Sequence, residues 1–160
     1  MTHGRTHDYH ATIRWTGNFG TGTATYAAYG RDYRISVPGK PDLEGSADPK
    51  FHGNAARHNP EDLLVAALSA CHMLAYLALC ARGGVRVTGY TDKASGTLVF
   101  DGQGGGRFES VLLRPVVTVA EPSQADTAQS LHDKAHDQCF IAASCNMPVR
   151  HEAVVRVGGT

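Results

Sequence analysis

Hydrophobic and polar positions divide the chain into stretches of different period. In residues 9–15, Tyr9, Ala11, Ile13 and Trp15 alternate with His10, Thr12 and Arg14, the period of two expected of a strand. Gly17-Asn18 and Gly20 to Gly22 mark a turn. Residues 23–29 and 33–37 read as two further strands around Gly30-Arg31-Asp32. Between Pro38 and His58 the periodicity fades among prolines and glycines, which predicts a long loop of the kind that tends to carry function.

The loop leads into the stretch around which the chain is organised. Asn59 suits an N-cap, Pro60 the first helical position, and Glu61 and Asp62 the positive end of a helix dipole. Arg82 and the Gly83-Gly84 pair supply the matching stop, with a left-handed C-cap. No Asp, Glu, Lys or Arg lies between Asp62 and Arg82, so the helix is apolar on every face and expected to be buried on every face. Its length fits a membrane span. Its apolarity is mostly alanine, however, interrupted by Ser69, His72 and Tyr76, and a buried helix with no membrane partner is the expected reading.

After Gly84 the pattern turns to strands. Residues 85–90 and 96–100 read as an antiparallel pair, and residues 101–106 as a flexible hairpin tip. One long strand follows to Val119, in which Pro115 predicts an edge position or a bulge. Glu121-Pro122-Ser123 opens a second helix with Ala128, Leu131 and Ala135 as its core stripe. A short apolar turn over residues 140–143 and a last strand over 149–157, stopped by Gly158-Gly159, complete the chain. The order predicts an α+β class and a single domain over residues 1–160. One sheet covers only one side of an apolar helix, and a symmetric homodimer would cover the rest.

Composition narrows the function classes. Fifteen Lys and Arg balance fifteen Asp and Glu, with no basic run to suggest nucleic acid. Residues 1–8 lack the apolar core of a signal peptide, so a cytoplasmic location is expected. In that compartment four cysteines point to metal binding, redox catalysis or inert burial. Cys71 lies mid-helix beside His72, where activation of the thiol requires a cationic side chain from elsewhere. Cys139 lies where the second helix ends, placed to resolve an oxidised Cys71. Cys80 reads as core filling and Cys145 as part of a tight turn. A rival reading takes His132, His136 and Cys139, at i, i+4 and i+7, as metal ligands, with His72, His151 or water as a fourth. Glu61 stands ten residues before Cys71, about 15 Å along a helix, so the two meet only across a two-fold axis.

Asn59-Pro60-Glu61-Asp62-Leu63-Leu64, followed by Ser69-Ala70-Cys71-His72-Met73-Leu74, resembles the core-helix motif of the OsmC/Ohr family of osmotically inducible and organic-hydroperoxide-resistance proteins. Residues 135–142 and 144–149 resemble its second-cysteine motif, and the resemblance covers nearly the whole chain. It implies a swapped, obligate homodimer with antiparallel sheets around two central helices. The implied activity is reduction of organic hydroperoxides by a cysteine peroxidase that needs no cofactor. By the same resemblance Cys71 is the peroxidatic thiol, Cys139 the resolving thiol, and Glu61 the carboxylate that orients an activating arginine. The chain departs from the pattern at that arginine. Arg57 is nearest the motif, with Arg14 and Arg31 as alternatives. The implied partners are an organic hydroperoxide and a dithiol reductant, a lipoyl protein or a thioredoxin-like protein. The alternative function is binding of a metal or a small apolar ligand on the same fold.

Overall fold

The structure, a computed structural model, describes residues 4–158; Gly159 of the expected stop and the first three residues of the expected leaderless N-terminus lie outside it. It contains two compact units, one ending at Leu63 and one beginning at Leu64.

In the N-terminal unit, β1 (Thr12–Trp15), β2 (Tyr33–Ser36) and β3 (Leu43–Gly45) form an antiparallel sheet in that order. Residues 23–29, expected as a strand, are a chain of turns instead. The Arg31 guanidinium donates to the carbonyls of Tyr26 and Tyr29, which holds this segment curled. The expected loop over residues 38–58 contains β3 and a single 3-10 turn, Pro49–Phe51. Gly45 in β3 has a packing reason, because a Cβ there would stand 2.3 Å from Cζ of Tyr33. Asn59 Oδ1 accepts from the Asp62 N–H at 2.8 Å, and Asp62 Oδ2 accepts from the Asn59 N–H at 3.4 Å. This reciprocal cap starts α1 (Pro60–Arg82) where the sequence predicts.

The C-terminal unit holds the rest of α1. Gly84, at φ +73°, takes the left-handed conformation, and Val85 N–H reaches back to the Cys80 carbonyl at 2.9 Å. That is the expected C-cap. Burial along α1 is narrower than expected. Leu68, His72, Tyr76 and Cys80 form one buried stripe at four-residue spacing, while Leu74 is 62% exposed in the single chain. By length and by a mean hydropathy of 2.1 over an 18-residue stretch, α1 is also long and apolar enough to cross a membrane.

Six strands follow as two three-stranded sheets. β4 (Val87–Asp92), β7 (Pro115–Val119) and β9 (Val154–Val157) form one, with β7 in the middle. β5 (Ser95–Phe100), β6 (Gly106–Leu113) and β8 (Val149–His151) form the other. The expected pairing of residues 85–90 with 96–100 is therefore replaced by β4 with β7 and β5 with β6. The expected long strand breaks at Arg114, whose N–H donates to Asp92 Oδ1 at 2.6 Å rather than to a ladder. Pro115 then opens a central strand at its first position, where its missing N–H costs nothing. The last strand also breaks, at Glu152-Ala153, so both long segments step from one sheet to the other. β6 with β8 and β7 with β9 are parallel, which makes both sheets mixed rather than purely antiparallel. The crossover that parallel pairing demands is supplied by α2 (Ala125–Asp137) and α3 (Phe140–Ala143).

The chain is of the α+β class. One core cluster joins Tyr76 and Cys80 of α1 to Val117 and Val119 of β7 and to Ala128, Leu131 and Ala135 of α2. A second gathers Leu68, Val111 and Leu113, with Met147 and Cys145 against it.

Candidate active site

The two thiols singled out by the sequence meet inside the C-terminal unit. α2 stops at Asp137, and the Cys139 N–H closes back on the His136 carbonyl at 3.1 Å. Cys139 itself is extended (φ −77°, ψ 103°) and caps α3, its sulfur accepting from the Ala142 N–H at 3.4 Å. The Cys71 thiol is its side-chain neighbour. Cys71 is half-buried and Cys139 buried, and both are free thiols. Burial pushes the Cys139 thiol above its ordinary range; the Ala142 N–H pulls it back and the Cys71 sulfur raises it again. Cys80 is held in the first core cluster, its thiol raised by burial, and Cys145 is packed against the second.

The charged candidates belong to the N-terminal unit. Arg57 Nη1 stands 3.0 Å from Glu44 Oε2 and 3.2 Å from Asp32 Oδ2. Arg14 is exposed in β1, in register with Arg34. Arg31 lies with its guanidinium 4.3 Å from the Tyr26 ring centroid and 4.0 Å from that of Tyr29. Arg31 and Glu61 line one cavity of about 260 Å³, together with Tyr33 and Phe51. Burial and the nearby Glu61 carboxylate both raise the Tyr33 hydroxyl above its ordinary value. Of the three arginines, the one that shares a cavity with Glu61 is Arg31.

The sequence grouped His72 with His132 only as candidate metal ligands and missed that they form a buried imidazole pair. His72 on α1 and His132 on α2 are 1% and 0% exposed, and His72 Nε2 stands 3.0 Å from His132 Nδ1. Their rings are 5.3 Å apart between centroids and 5° from parallel. These values place the rings side by side, nitrogen facing nitrogen, so that one ring donates and the other accepts. His151 lies 5.4 Å from His72 and 5.8 Å from His132, and its Nε2 meets Asp133 Oδ1 at 3.2 Å. Burial, then the neighbouring His151, lowers His72 to about 4; burial, then His72, lowers His132 to about 3. Both imidazoles are therefore neutral near pH 7.

This geometry also bears on the metal reading. The i, i+4, i+7 spacing of His132, His136 and Cys139 presumes one continuous helix, and α2 ends before Cys139. The His72 Nε2–His132 Nδ1 hydrogen bond occupies one nitrogen of each ring, one as donor and one as acceptor. Among the described residues no three His, Cys, Asp or Glu side chains are arranged to hold a metal ion. A signal for the pair was nonetheless present in the sequence. Nine histidines are many for 160 residues, and His72 follows Cys71 on a helix that is otherwise apolar.

Comparison with known proteins follows the same lines. A sequence model of the family described as OsmC-like protein matches residues 52–153. The chain is similar in structure to an OsmC-like protein of unknown function from Vibrio cholerae, at 30% identity and a TM-score of 0.83, over 93% of this chain and 100% of that one. It shares its fold with an organic hydroperoxide resistance protein from Elizabethkingia anophelis, at 20% identity and a TM-score of 0.69, over 97% and 99% of the two chains. The same holds for an organic hydroperoxide resistance protein from Legionella pneumophila, at 19% identity and a TM-score of 0.66, over 92% and 96%. No curated protein matches the sequence.

Proposed function

The chain belongs to the OsmC-like protein family, and on that premise we propose that it is a thiol-dependent peroxidase that reduces organic hydroperoxides. The observation that carries this reading is the meeting of Cys71 and Cys139, one thiol half-buried and the other buried and held protonated. The names of the Elizabethkingia and Legionella proteins that share the fold point the same way.

In the proposed cycle the Cys71 thiolate attacks the outer peroxide oxygen. The O–O bond breaks, the alkoxide leaves and takes up a proton as the alcohol, and Cys71 becomes a sulfenic acid. The Cys139 sulfur then attacks the Cys71 sulfur and displaces water, and a disulfide forms. A dithiol of the lipoyl-protein or thioredoxin-like class returns both thiols by two exchanges. An arginine oriented by Glu61 stabilises the developing negative charge. Arg31 is the better supported partner, because it shares a cavity with Glu61 while Arg57 is engaged by Asp32 and Glu44. The apolar side chains around α1 favour an organic substituent over hydrogen peroxide.

The working form is a homodimer in the cytoplasm, in which a second copy covers the apolar faces of α1 that one chain leaves open, Leu74 among them. The test is consumption of cumene hydroperoxide with dihydrolipoamide as donor. Steady turnover by the parent and none by Cys71→Ser supports the reading; equal, slow loss of peroxide with both proteins would refute it.

A further inference from the structure

Two buried polar contacts join α1 to α2, one helical turn apart. Tyr76 OH donates to the Ala128 carbonyl at 3.1 Å, and its ring stacks on His132 at 3.9 Å between centroids, 10° from parallel. His72, four residues earlier on α1, meets His132, four residues later on α2. The partners run 72 with 132 and 76 with 128, which fixes an antiparallel register between the helices. The His72 contact is the one nearer the thiols in the chain: His72 follows Cys71 on α1, and its partner His132 lies on α2, just beyond whose end stands Cys139.

We infer that His72 and His132 are positioning residues for disulfide closure: their mutual hydrogen bond fixes α1 against α2 in the register that holds the Cys71 and Cys139 sulfurs together. The inference rests on the thiol pair proposed above and deepens it. Apolar contacts resist sliding weakly, because burial is non-directional. A hydrogen bond between buried rings is directional, and sliding by one residue leaves a donor and an acceptor unpaired where solvent cannot replace them. Two leucines in these places would bury as well, without the desolvation cost of two imidazoles and without specifying the register.

The groups around the pair keep it a neutral donor–acceptor contact. His151 from β8 and His136 from α2 oppose a positive charge on His72, whereas Asp92 from β4 favours one. Asp133 is turned to His151. Tyr76 covers one face of His132, and Tyr90 of β4 packs on Tyr76 at 6.0 Å between ring centroids. The outer nitrogens, His72 Nδ1 and His132 Nε2, meet no protein partner among the described residues, so an added proton finds no acceptor.

The test uses the reduced full chain and one equivalent of 4,4′-dithiodipyridine, which supplies the oxidation without peroxide. Cys71 attacks the reagent disulfide, releases one thiopyridone and forms a mixed disulfide; Cys139 then displaces the second thiopyridone and closes the Cys71–Cys139 bond. The two releases are read as two phases. With His72→Leu the first phase stays within about two-fold of the parent and the second slows by about ten-fold, the scale of one lost hydrogen bond beside an unpaired ring. His72→Gln, whose side-chain amide reaches His132 Nδ1, restores the second phase to within about three-fold. A parental second phase in His72→Leu, or no rescue by a folded His72→Gln, would overturn the inference. If His72→Leu does not fold, His72→Asn carries the same amide one methylene short, and a second phase equal to that of His72→Gln would overturn it as well. Loss of the peroxidase reading is seen separately, as absence of cumene hydroperoxide turnover by the parent.

Discussion

In the N-terminal unit Arg57 holds Asp32 and Glu44 in a cluster of full charges, each side chain about a third exposed. In the C-terminal unit His72 and His132 hold each other with no net charge and almost no exposure. Water still reaches the first cluster and screens it, so its charges cost little and contribute little. Burial in the second forbids charge and makes the hydrogen bond directional and costly to lose. The open unit, with its full charges, is therefore suited to meeting a changing charge, and the closed unit to holding two sulfurs still.

The strongest prediction breaks the thiol side of this contrast. Cys139→Ser consumes about one equivalent of cumene hydroperoxide and stops, with Cys71 trapped as a sulfenic acid that dimedone labels and mass spectrometry locates. Cys80→Ser and Cys145→Ser leave the cycle intact, because both sulfurs belong to core clusters.

Acid sharpens the buried side. His72 and His132 have folded values lowered to about 4 and about 3, against an ordinary value near 6.5. As pH falls below about 6.5 the unfolded chain takes up protons that the folded chain refuses, so stability drops from there to about pH 4. A loss on the order of 5 kcal/mol is expected for the pair across that range. Urea unfolding at pH 7 and pH 4.5 measures it, and His72→Gln flattens the dependence.

The open unit separates its arginines. Arg31→Ala lowers kcat/KM for cumene hydroperoxide by about 100-fold if this cation meets the developing charge, whereas Arg57→Ala changes it by less than about five-fold. Steady-state kinetics at fixed dithiol distinguishes the two. The smallest effect is expected of Asp32→Asn, which removes one partner of a half-open ion pair and changes stability by under about 1 kcal/mol in thermal unfolding.

Local signals were legible where local chemistry decides. The Asn59 cap, the Gly84 stop and the Ala128-Leu131-Ala135 stripe appear where the sequence placed them. Turns were misread as strand over residues 23–29 because Arg31, outside that window, gathers two of its carbonyls. The sheet partition was hidden for a similar reason: Asp92 takes the Arg114 N–H across twenty-two residues and breaks a segment whose alternation reads as continuous. Proximity of Cys71 and Cys139 was suggested by the placement of the two cysteines and by resemblance, whereas the direct His72–His132 contact, sixty residues apart, left no pattern in period or spacing. A long-range contact between polar side chains is set by helix register, which the sequence does not display.

The measurement closest to the centre of the account is peptide mapping of the reduced protein after one equivalent of cumene hydroperoxide. The account predicts rapid loss of two thiols per chain and a Cys71–Cys139 linked peptide. Slow, unselective oxidation, or a link between Cys139 and Cys145, would contradict it.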